Sequence, residues 1–151
     1  MKLAEALSRR KDLQKRIAQL RSRIAANVRV QEGEQPLENP AELRIELHEC
    51  LNELEDLIWR INVTNMQLKS SSGVPLTRLL AQRDVLTARI AALRHIFDAA
   101  TERENRYSRS EIKTLTVIDV KGLGREIDGH SLSLRRLDME IQALNFAADL
   151  L

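Results

Sequence analysis

Aromatic side chains are scarce in this chain, with one tryptophan, one tyrosine and two phenylalanines in 151 residues. A core built from it must be aliphatic, and the stacking platforms that hold single-stranded nucleic acid are nearly missing. A lone cysteine, Cys50, excludes an intrachain disulfide framework and fits a reducing compartment. No apolar run approaches the roughly 18 residues of a membrane-spanning helix, and the opening MKLAEALSRRKDL lacks the apolar stretch of a signal peptide. A cytoplasmic protein is expected. Gly122-Leu123-Gly124 lacks the third glycine and the preceding strand of a dinucleotide loop, so no phosphate-cradling loop is predicted.

What the chain has in quantity is heptad spacing. Leu3, Ala6, Arg10, Leu13, Ile17, Leu20 and Ile24 alternate in steps of three and four, which is a helical seam. The pattern stops near Asn27, where Gly33, Pro36 and Pro40 punctuate the segment VRVQEGEQPLENP. Asn39-Pro40 reads as the cap and first residue of a second helix, with seam Leu43, Leu47, Cys50, Leu54, Leu57 and Ile61. KSSSGVP, residues 69–75, is a turn. A third seam follows (Leu76, Leu79, Arg83, Leu86, Ile90, Leu93, Phe97, Ala100), then a fourth (Leu123, Ile127, His130, Leu134, Leu137, Ile141, Leu144).

The third seam overlays the first 73 positions on, matching Leu3 with Leu76, Arg10 with Arg83 and Ile17 with Ile90. The fourth overlays the second 80 positions on, matching Leu57 with Leu137, Ile61 with Ile141 and Asn65 with Asn145. The expected fold is all-α, a single domain over 1–151 of two tandem antiparallel helical hairpins in a four-helix bundle or coiled coil. The pseudo-repeat covers 1–68 and 76–151. The two hairpin connections, VRVQEGEQPLE and RYSRSEIKTLTVIDV, carry short alternating β-branched residues. A small β-pairing of the two at one end is the accompanying expectation.

Charge is divided between helices. Residues 8–23 hold seven basic residues against Asp12, and residues 41–61 hold six acidic residues against Arg44 and Arg60. Neighbouring helices of opposite sign can answer one another, which weighs against nucleic-acid binding. Arg10 and Arg83 interrupt their seams where an apolar residue belongs. Each is expected to pair with a carboxylate, from Glu53, Glu55 or Asp56 for one hairpin and Asp138 or Glu140 for the other.

The second helix is apolar on too many sides. Leu51 and Ile58 line the seam, and Ile45, Trp59 and Met66 make a further stripe on the opposite flank. A helix packed on one side needs an apolar arc of little more than about 100°. The extra stripe predicts a homo-oligomer with Ile45, Trp59 and Met66 at the contact.

Signals of catalysis are few. His48, His95 and His130 have no metal-ligand spacing, and His48 and Cys50 point to different faces of a helix. No metal or other cofactor is expected, and no enzyme activity. The cluster Arg106, Tyr107, Ser108, Arg109 and Ser110 has two readings: an anion site, since arginine forks suit phosphate, or a helix-capping turn.

The segments MKLAEAL, DLQKRIAQL, VQEGE, INVTN, RDVL, RYSRSEIK and the closing LN…DLL resemble those of a septicolysin-like family of small bacterial proteins, over nearly the whole length. The glycines at 122, 124 and 129 depart from it. That resemblance implies an all-helical fold and a membrane-active, cytolysin-like protein as the alternative to a self-assembling interaction module.

Overall fold

The computed structural model describes residues 1–102 and 115–151. Each seam becomes a helix: α1 (Leu3–Asn27), α2 (Pro40–Gln67), α3 (Leu76–Thr101) and α4 (Val120–Ala147). The chain is all-α, in two antiparallel hairpins, α1 with α2 and α3 with α4. All residues of the four seams are buried or half-buried, including Arg10, Arg83, Cys50 and His130. The helical period therefore does select the packed stripe.

Helix boundaries fall where local chemistry places them. Asn39 caps α2, its Oδ1 accepting from the Ala41 amide at 3.0 Å while its Nδ2 donates to Glu42 at 3.0 Å, and Pro40 occupies the first turn. Asn39→Ala should cost about 1 kcal/mol of stability, read as a lower urea midpoint at unchanged slope. At α4 the Asp119 carboxylate accepts from the Gly122 amide at 2.9 Å. A Cβ on Gly122 would stand 2.3 Å from that carboxylate, so glycine there leaves the cap its room. Gly33 and Gly73 take φ of +89° and +79°, the left-handed backbone their turns require.

By packing, the chain divides into Met1–Leu76 with Gln142–Leu151, and Thr77–Ile141. In the first unit Leu3, Leu20, Ile61 and Leu76 are fully buried. Its end is tied by backbone. Leu3 N donates to Ala148 O (3.0 Å) and Leu150 N to Met1 O (2.9 Å). Leu76 N likewise donates to Leu68 O (2.8 Å) and Ser70 N to Val74 O (2.8 Å). The two sets of bonds are related by the same steps of 73 and 80 that relate the seams. Thr64, buried beside them, donates to Arg60 O (2.8 Å) and accepts from the Leu151 amide (3.0 Å). In the second unit Ile90, Leu123 and Ile127 form the centre, with Leu86, Leu93, Phe97 and Leu134 against it.

The expected β-pairing of the hairpin connections is corrected by this geometry. Among the described residues there is no strand, only the isolated bridges Lys2–Asp149 and Lys69–Pro75. The first connection folds back on its own helix instead. Asn27, buried at the end of α1, accepts from the Glu38 amide at 3.0 Å, and a turn joins Glu34 N to Gln31 O at 3.0 Å. Those bonds use backbone that a strand would need for its ladder. Of the second connection, 115–119 is irregular and 103–114 lies outside the described residues.

Candidate interaction surface

Two surfaces of the chain carry its unusual chemistry: the charged flank of the first hairpin and the bare apolar flank of α2.

On the charged flank, α1 places Lys2, Arg9, Arg16 and Arg23 seven residues apart, hence on one line. Arg9 grips Glu53 through two bonds, Nε at 2.6 Å and Nη2 at 2.8 Å. Arg16 reaches Glu46 at 2.5 Å, Arg23 pairs with Glu38, and Lys2 pairs with Asp149 at 3.0 Å. Arg9–Glu53 and Arg16–Glu46 are rungs of a ladder between α1 and α2, and Arg23–Glu38 continues them onto the connection. Lys2–Asp149 ties the start of the chain to the segment after α4. Arginine–carboxylate forks of this kind fix the stagger of two helices better than single contacts do.

The ladder is not where the seam arginines pointed. Arg10, half-buried, makes no ion pair among the described residues, and its neighbour Arg9 takes Glu53 instead. Arg83 reaches Asp84 at 2.9 Å, the next residue on its own helix. A seam residue points toward the facing helix's apolar side chains, whereas the flanking position looks along the groove at the partner's carboxylates. The seven-residue recurrence of Arg9, Arg16 and Arg23 was the signal that could have found them.

The arginines hold Glu53 and Glu38 below the usual carboxylate range, chiefly through the side-chain hydrogen bonds from Arg9 and Arg23. A depressed folded-state value contributes stability above the unfolded value, ordinarily 4.5, and that contribution is lost as pH falls through the folded value. Arg9–Glu53 is solvent-exposed and Arg23–Glu38 half-buried at the surface, so the effect is small and salt-screened. Melting temperature should therefore drop between neutral pH and about pH 3, less steeply in Arg9→Ala and less steeply at high salt.

On α2 the stripe Ile45, Trp59 and Met66 lies in the open, at 60%, 68% and 69% exposed. Leu51 and Ile58 are also exposed on this helix. The first hairpin packs the seam, and among the described residues these side chains stand exposed.

In the second unit an open cleft of about 430 Å³ runs between α3 and α4, lined by Arg78, Gln82, Val85, Arg89, Ser133 and Leu137 among others. Its lining contains no carboxylate, histidine or cysteine. His130 lies 3.5 Å from Glu126, one turn away on its own helix. Among the described residues no group of three or more His, Cys, Asp or Glu side chains could hold a metal ion. Arg106, Tyr107, Ser108, Arg109 and Ser110 lie outside the described residues.

The geometry defines a class, an all-α chain of paired helical hairpins with an exposed apolar flank on one helix. The chain belongs to a family of unknown function, DUF6847, whose model matches residues 10–150. It is similar over its whole length to a solved crystal structure of a functionally unknown conserved protein from Corynebacterium diphtheriae. The identity is 38%, covering 100% of this chain and 99% of that one, with a TM-score of 0.94. No curated protein matches.

These comparisons correct the septicolysin-like resemblance: neither the family nor the structural neighbour is described in those terms. Segments such as DLQKRIAQL owe their form to heptad composition, which unrelated paired helices share. The membrane-active alternative rested on that resemblance and goes with it. Among the described residues no helix is long and apolar enough to cross a membrane.

Proposed function

We propose that the chain is a non-enzymatic, cytoplasmic helical module that self-associates through the outer flank of α2 and serves as a structural or interaction unit. The observation that carries the reading is the exposed stripe of Ile45, Trp59 and Met66, which includes the chain's only tryptophan. Tryptophan left in solvent beside other large apolar groups marks a contact surface, because its burial there removes much apolar area from water. Supporting the non-enzymatic part is the chemistry of the described cleft, which offers neither a nucleophile with a base nor a carboxylate pair. Two arginines of basic α1 are engaged by α2 and a third by Glu38 of the connection before it, which weighs against a nucleic-acid partner. A half-buried free thiol at Cys50 fits a reducing compartment.

The module is built as two copies of one hairpin. What supports this is the recurrence of the seams and of the end-tying backbone bonds at the same steps along the chain. Sedimentation equilibrium tests the self-association. A mass that is a multiple of 17.3 kDa is expected; a 17.3 kDa species at tens of micromolar overturns it.

A further inference from the structure

Eighty positions beyond the α2 stripe, α4 carries one like it. Asn52, Trp59 and Met66 correspond to Leu132, Met139 and Phe146, each seven residues from the next. Met139 is 73% and Phe146 67% exposed, and Leu132 is exposed too. Each second helix thus exposes large apolar side chains at two matching places, Trp59 with Met139 and Met66 with Phe146, while Leu132 corresponds to Asn52 and Ile45 to Arg125.

The charges beside the two lines are opposite. Glu55 and Asp56 flank the α2 line on either side, midway between Asn52 and Trp59. Arg135 and Arg136 flank the α4 line midway between Leu132 and Met139. All four are exposed. Glu55, Arg135 and Arg136 make no ion pair among the described residues, and Asp56 has only a loose one, 3.8 Å from Arg60. Arg60 directs its Nε to the Leu151 carbonyl at 2.8 Å. Asp138 and Glu140 stand about 100° round the helix from the α4 line, away from its facing edge.

We propose that the α2 line of one copy docks on the α4 line of a second copy, with Glu55 and Asp56 facing Arg135 and Arg136. This rests on the self-association proposed above and names its partner surfaces. Pairing α2 with α2 would set four acidic groups against one another, and α4 with α4 four basic ones, which like-charge repulsion disfavours. Because each charge pair sits midway between two positions of its line, it meets the opposite pair whether the helices run parallel or antiparallel. Each chain carries both faces, so two copies that exchange both close a dimer, and copies that exchange one propagate.

Charge reversal tests it on the full-length chain. Glu55→Arg with Asp56→Arg, and separately Arg135→Glu with Arg136→Glu, should each weaken self-association by about 100-fold or more, with helix content by circular dichroism unchanged. Mixing the two variants restores opposite charges at both contacts and should return association to the wild-type level. Three results overturn the α2–α4 pairing while leaving self-association standing: reversal on α2 that tightens association, reversal that changes nothing, or a mixture that stays monomeric beside an associating wild-type chain. A monomeric wild-type chain overturns both inferences.

Discussion

Replacing Trp59 by glutamate is expected to abolish the proposed self-association and leave the helices in place. The indole is 68% exposed in the single chain, so the substitution removes no core packing from the hairpin. At a subunit contact the same change deletes a large apolar anchor and buries a carboxylate without a partner. Anchors of this type are worth about 2 kcal/mol or more on truncation, and an unpaired charge adds to the loss. Association should weaken at least about 30-fold, since 1.4 kcal/mol is roughly tenfold. Sedimentation equilibrium and circular dichroism read the two halves of the prediction separately. A collapse of helix content would place Trp59 in the packing of the chain itself.

Ile61→Ala, two residues further along the same helix, should do the reverse. Ile61 is 1% exposed, at the end of the first unit where Leu3, Thr64 and Leu76 are also buried. Truncating such a side chain costs about 2–5 kcal/mol, the lost transfer energy plus the cavity left behind. At about 2–4 °C per kcal/mol for a chain of this size, melting should fall by around 10 °C. The measurement belongs at fixed protein concentration, because association raises apparent stability by mass action. A change of under about 1 kcal/mol would mean that the site collapses around the missing atoms, and that this end contributes little to the core. The pair of substitutions separates two roles on one helix: a face that packs the chain and a face proposed to hold chains to each other.

Much of the architecture was legible in the residues because its determinants are local. Seam spacing located the four helices and the stripes they pack. Asn39-Pro40 marked the start of α2, and the run of small residues from Ser70 to Gly73 marked the turn into α3. The second stripe of α2 was visible for the same reason, since a helix presents its residues at a fixed angle whatever surrounds it. Heptad composition was a poor guide to kinship, as the family match shows, because any pair of packed helices selects the same residue types.

Other features depended on which residues come together, and periodicity does not contain that. The rungs Arg9–Glu53, Arg16–Glu46 and Arg23–Glu38 require the stagger of the first hairpin, whose packed faces bury Leu13, Leu20, Leu43 and Leu57. A shift of one residue would have handed those carboxylates to other arginines, Arg10 among them. The folding of the first connection onto Asn27, rather than into a strand, turned on one buried amide that spacing rules do not see. The backbone ties between Leu3 and Ala148, and between Leu150 and Met1, join segments some 145 residues apart. Sequence by itself determined the helices, their limits and their apolar faces, because those follow from bond geometry within a few residues. Tertiary structure alone decided the pairings, because the free energy of a contact belongs to two partners and the chain must fold before they meet.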